Sequence, residues 1–227
     1  MAFIKNRISR NLNAFLDTLA YAEGTSTHPL TKNDGYDVIV TGLDGYEIFS
    51  MYGAHPFANG RKSKRINLKG LTSNASGRYQ FMLKDYEHYR KQLRLPDFGP
   101  ESQDRWAIQL IRETGALPLI EAGRFIEAVA RVRHLWASLP GAGYGQLERP
   151  LASLTNVYVN KGGETWKSLV VLSDTSSRVP VQSLPQSLYI SEPSKLEEKK
   201  ATWLTLLNKL NELAKKITLH FKSKTKP

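Results

Sequence analysis

A chain of 227 residues with 41% hydrophobic content is long enough for one sizeable domain plus an appendage, and apolar enough to bury a core. It contains no cysteine, which excludes disulfides, thiolate metal sites and cysteine nucleophiles. Lys and Arg total 32 against 21 Asp and Glu, a formal net charge of +11; a field of that sign attracts nucleic acid, anionic lipid or an acidic polymer without choosing among them.

The first 13 residues, MAFIKNRISRNLN, are basic but lack the apolar run of a cleaved secretory signal, so synthesis is expected in the cytoplasm. No stretch approaches the roughly 20 apolar residues of a membrane span. Residues 14–25, AFLDTLAYAEGT, read as an apolar helix ending on a carboxylate. Phe15, Leu19 and Glu23 share one face, and Gly24 is a left-handed helix stop. The last turn of a helix disfavours an anion, and partial burial adds a desolvation cost of the same sign. Two readings stand: a carboxyl held protonated for general acid catalysis, or an exposed glutamate at a frayed helix end.

Asn33-Asp34-Gly35 marks a turn, and residues 36–40, YDVIV, alternate as a short strand. A second turn at Leu43-Asp44-Gly45 leads to a partner strand over 46–51. Residues 54–76 are basic and loop-like, with Arg61, Lys62, Lys64, Arg65 and Lys69; they read either as a solvated loop or as a rim that greets an anionic substrate. In SNASGRYQF, residues 73–81, the small side chains and Gly77 would let the backbone approach a ligand, with Gln80 offering a donor and an acceptor to an acetamido group.

Helical spacing predicts helices over 83–93 and 101–114, separated by the breaker Leu95-Pro96-Asp97-Phe98-Gly99-Pro100, then over 117–122 and 124–136. Trp106 and Trp136 read as core aromatics. The glycine-rich loop 139–146 lacks the GxGxxG spacing of a dinucleotide site. A last helix over 151–159 can close the domain. Residues 169–194 have the Ser, Pro and Gln content of a linker, and 195–227 read as a basic amphipathic helix and tail. Three parts follow: a domain over 1–168, the linker and the helix.

His28, His55, His88, His134 and His220 show no HExxH or comparable ligand spacing, and no GxSxG elbow is present, so neither a metal site nor a serine triad is expected and no cofactor is implied. A sugar-cleaving site needs less: one protonated carboxyl, and either a second carboxylate or help from the substrate.

LAYAEGT, GYDVIV, SGRYQF, YRKQL, SQD, GALP and WASLPGAGYGQ, in this order between residues 14 and 163, together resemble the lambda-type phage endolysins, lysozyme-like murein lytic transglycosylases. The resemblance implies an α+β lysozyme-like fold, mainly helical, with a cleft between a small antiparallel sheet lobe and a helical lobe. It places the catalytic acid at Glu23 and the substrate-binding candidates at Gln80, Tyr144, Tyr79 and Ser76, while Asp37 suits a turn or sheet anchor. Position 32, where a water-activating phage lysozyme would carry an acid, is Lys32. The implied activity is cleavage of the bond between N-acetylmuramic acid (MurNAc) and N-acetylglucosamine (GlcNAc) in bacterial peptidoglycan, with anhydro-muramic products. A hydrolytic lysozyme and a non-catalytic basic binding module are the alternatives; nucleic acid is the disfavoured partner. The expected enzyme is a monomer that reaches the periplasm from the host cytoplasm through a holin-type lesion. Its C-terminal helix is expected to contact anionic membrane or lipopolysaccharide.

Overall fold

The computed structural model describes residues 1–4 and 8–166, which belong to the first of two units, Met1–Val170 and Val171–Pro227. The expected linker and C-terminal helix lie outside the described residues.

Helix α1, Arg10–Ala22, is the axis of the unit. Ser9 caps it, its hydroxyl accepting the Leu12 N–H at 3.0 Å. Glu23 is its C-cap, and Gly24 at φ +73° turns the chain away. Leu12, Phe15, Leu16 and Leu19 are buried against the surrounding helices. Those helices are α2 (Leu83–Gln92), α3 (Pro100–Glu113), α4 (Leu117–Glu121), α5 (Phe125–Val132) and α6 (Leu151–Asn160), and α4 and α6 pack directly on α1. The core is aromatic: Phe81 stacks on Trp106 at 4.0 Å, and Phe125 on Tyr158 at 4.3 Å. Trp106 and Trp136 are both buried, as their composition suggested. The helix expected to reach Trp136 ends earlier, at Val132, and Trp136 instead follows it and donates its indole N–H to the Tyr79 carbonyl at 3.0 Å.

The sheet lobe holds β1 (Val38–Gly42) antiparallel to β2 (Gly45–Ile48), in register Val38↔Ile48 and Ile39↔Glu47. The first strand begins two residues later than alternation predicts because Asp37 anchors the preceding turn. Its buried carboxylate accepts the Thr31 hydroxyl at 2.5 Å and the Lys32 N–H at 2.8 Å.

The basic segment 54–76 departs from a simple solvated loop. It contains a second antiparallel pair, β3 (Lys64–Arg65) with β4 (Thr72–Ser73). Lys64 is buried; its ammonium donates to Glu47 at 3.0 Å and to the Gly45 carbonyl at 3.1 Å, and pairs with Asp44 at 3.1 Å. Arg61 also binds Glu47, at 2.6 Å. Two of the five cations therefore staple the lobe together, while Lys62, Arg65 and Lys69 stay exposed.

Candidate active site

A cleft of about 560 Å³ separates the sheet lobe from the helices. Its floor is the end of α1, from Ala22 to Thr25, and one wall is β1 and β2 with Val38, Val40 and Tyr46. The other wall comes from the loops that follow α5: Ala137, Ser138, Gln146, Leu147 and Arg149. Glu23 is the one carboxylate among the described residues that line it.

Local sequence puts Glu23 there. Gly24 breaks the helix, and Thr25, fully buried, donates its hydroxyl to the Arg78 carbonyl at 2.6 Å, which locks the helix end to the SGRYQF turn carrying Gln80. Gly35 packs on Thr25 so closely that an added Cβ would lie 2.8 Å from its carbonyl carbon.

Burial pushes the Glu23 carboxyl up to about 7, against the opposing pull of hydrogen bonds from Ser138 and the positive charge of Arg149. The Ser138 hydroxyl donates to Glu23 Oε1 at 2.5 Å, and the Ser138 backbone N–H adds a second hydrogen bond to the carboxyl. A glutamic acid half protonated near neutral pH is suited to general acid and then general base chemistry. Glu23 is half-buried at the C-cap of α1, so this helix end is not a frayed and exposed one.

The other candidates separate. Gln80 lines the cleft at φ +51°, a left-handed conformation rare for a side chain of its size, and its Nε2 donates to the Gly77 carbonyl at 3.0 Å, leaving Oε1 to accept. Ser76 and Tyr79 are not cleft residues. Both are fully buried; Ser76 bridges Ile39 and Phe81, and the Tyr79 hydroxyl donates to buried Asp104 at 2.7 Å. Gly77, expected to admit a ligand, faces Gln103 instead: an added Cβ would stand 2.2 Å from Gln103 Oε1. Tyr144 is exposed, donates its hydroxyl to the His134 carbonyl at 2.7 Å and does not line the cleft; Gln146 and Leu147 of the same loop do. The loop's own backbone N–H groups are occupied, since Gly141 and Gly143 donate to the Glu148 carboxylate at 2.7 and 2.9 Å.

Four residues that sequence reasoning passed over meet at the cleft. Ser138 and Arg149 are one pair; His28 and Tyr46, edge to face at 4.9 Å, are the other. Burial lowers the His28 imidazole below its ordinary range, against the opposing charge of Asp37. Ser138 lies inside the WASLPGAGYGQ motif, but no local pattern marks the other three. Among the described residues, no cluster of three His, Asp or Glu could hold a metal.

A family model described as Endolysin matches residues 13–165. The endolysin of Escherichia phage P2 is 62% identical over 155 residues, spanning 68% of this chain and 94% of the relative. That of Escherichia phage lambda is 47% identical over 157 residues, spanning 69% and 94%. The solved structure of bacteriophage lambda lysozyme complexed with a chitohexasaccharide superposes with a TM-score of 0.64 at 46% identity, covering 70% of this chain and 98% of that one. A second structure of the lambda lysozyme superposes at 0.61 and 45% identity. The chain therefore belongs to the lambda-type phage endolysins and has their α+β lysozyme-like fold.

Proposed function

We propose that this lysozyme-like endolysin cleaves the bond between N-acetylmuramic acid and N-acetylglucosamine in bacterial peptidoglycan as a lytic transglycosylase. The observation that carries the reading is the solitary carboxylate. An inverting hydrolase needs a second carboxylate to activate water, and a retaining one needs it as nucleophile. Asp34 and Asp37, the nearest candidates in sequence, do not line the cleft: Asp34 pairs with Arg78 at 3.0 Å, and Asp37 holds Thr31 and Lys32. The lambda lysozyme has been solved with a chitohexasaccharide, and we extend a glycan ligand of that kind to this cleft.

In this mechanism Glu23 gives its proton to the glycosidic oxygen as the C1–O bond breaks, and the GlcNAc side leaves with a free hydroxyl. The 2-acetamido carbonyl oxygen of the muramic residue closes on C1. Glu23, now a carboxylate, takes the proton of the muramic 6-hydroxyl. The 6-oxygen displaces the acetamido oxygen from C1, which closes the 1,6-anhydro ring and returns Glu23 to its protonated form. No water is consumed, so a second acid has no task.

Mass analysis of products from purified peptidoglycan tests this. Muramic ends lighter by one water than reducing ends are expected; reducing ends would make the enzyme a hydrolase. Action on the wall requires passage from the host cytoplasm to the periplasm, for which a holin-type lesion is the proposed route.

A further inference from the structure

Resting on the peptidoglycan reading, we propose that Arg149 is a specificity-determining residue: its guanidinium binds a carboxylate carried on the lactyl arm of the muramic sugar, so that the cleft favours peptidoglycan over an uncharged chitin-type glycan.

Arg149 lines the same cleft as Glu23. Its guanidinium lies 5.3 Å from the centre of the Tyr21 ring, and its Nε donates to the Ala22 carbonyl at 3.4 Å. The turn of α1 that carries the catalytic acid therefore also steadies the guanidinium. Among the described residues no carboxylate forms an ion pair with it, whereas Arg78, the buried arginine of the core, is paired with Asp17 at 2.7 Å. The single carboxyl sharing the cleft, Glu23, is hydrogen-bonded to Ser138. Gln80 is uncharged, and Arg149 is the one arginine or lysine among the described residues of the cleft wall.

A half-buried guanidinium steadied through its Nε can offer its outer N–H groups to a planar carboxylate through two parallel hydrogen bonds. Chitin-type glycan and peptidoglycan share the sugar backbone and the 2-acetamido groups. They differ at the lactyl ether on alternate sugars, which ends either in a free carboxylate or in a stem peptide bearing carboxylates of its own. A cation in the wall discriminates at that point and nowhere else along the strand.

The experiment compares the full chain with Arg149→Gln and Arg149→Lys at pH 5, where Glu23 is protonated in all three. Initial rates are measured on intact peptidoglycan and on strands stripped of stem peptides by an amidase; chitohexasaccharide binding is measured by calorimetry. Arg149→Gln is expected to raise KM about tenfold on peptidoglycan, the worth of one charged hydrogen-bonded pair, with kcat within about twofold. Chitohexasaccharide affinity should hold, and Arg149→Lys should recover part of the loss. A penalty on stripped strands assigns the lactyl carboxylate that stripping frees, and one confined to intact peptidoglycan assigns the carboxylates of the stem peptide. An unchanged KM on both substrates, or an equal loss of chitohexasaccharide affinity, overturns the proposal. Product ends from the same digests read the reaction type separately: reducing ends would refute transglycosylation while leaving the KM comparison intact.

Discussion

At the scale of single residues, the burial that suits Glu23 to its proposed role costs stability. Its carboxyl titrates at about 7 in the fold because it is buried, against an ordinary value of 4.5. Below pH 4.5 both folded and unfolded chains hold the proton and no penalty arises. As pH rises toward 7 the unfolded chain ionises first, so stability falls, and above 7 the loss is complete. The loss is of order 1–3 kcal/mol, the lower part of that range allowing for partial access to solvent. Glu23→Gln removes both the proton and the penalty. It should lower turnover of peptidoglycan by about 10² to 10⁴. By differential scanning calorimetry it should melt higher than the wild type at pH 8 and together with it at pH 4. A variant that degrades peptidoglycan at near wild-type speed would remove Glu23 from the mechanism; coincident melting at both pH values would mean the carboxyl is not perturbed. The wild-type kcat should also fall on the alkaline side with an apparent pKa near 7.

At the scale of elements, the turn SGRYQF joins the two lobes, and its glycine serves packing rather than ligand access. Gln103 of α3 is fully buried and donates to the Tyr36 and Phe98 carbonyls at 3.0 and 2.8 Å while its Oε1 accepts the Arg78 N–H at 2.8 Å. The adjacent Asp104 accepts the Tyr36 and Tyr79 hydroxyls, each at 2.7 Å. One helix turn of α3 thus satisfies buried polar groups on both sides of the sheet lobe's attachment. Gly77 sits at φ +77° against this glutamine, so Gly77→Ala combines backbone strain with a clash. It should cost about 3–5 kcal/mol in urea unfolding, with Gln80 displaced from the cleft as the structural consequence. A cost under about 1 kcal/mol would mean that the turn adapts and does not set the position of Gln80.

At the scale of the whole molecule, about two thirds of this chain spans 94% of the phage P2 and lambda endolysins, so the residues beyond the matched region are additional. In those residues Trp203, Leu206, Leu210, Leu213 and Ile217 repeat at steps of three and four, flanked by Lys199, Lys200, Lys209, Lys215 and Lys216. The sequence predicts a helix that lies on an anionic membrane, with docking on the catalytic domain or pairing with a second copy as the alternatives. Deleting everything after Gln182 should leave turnover of purified peptidoglycan nearly unchanged and lower salt-sensitive binding to anionic vesicles. Loss of turnover, or unfolding, would assign the segment to the catalytic unit instead.

Elements whose causes are local were legible in the amino-acid order alone. The glycine after Glu23 ends α1, alternation makes the β1–β2 hairpin, and breakers separate α2 from α3, all through interactions within a few residues. The acid was legible for the same reason, being the last residue of an apolar helical face. Which side chains reach that acid was decided by tertiary structure. Ser138 stands 115 residues away from Glu23, Arg149 meets Tyr21 across an even longer separation, and Lys64 is buried because Asp44 and Glu47 fold onto it. Ser76, Tyr79 and Gln80 sit within one motif, yet two pack inward and one faces the cleft. Local spacing sets backbone conformation, but burial and charge pairing depend on which distant segments pack against it, and those contacts exist only in the folded chain.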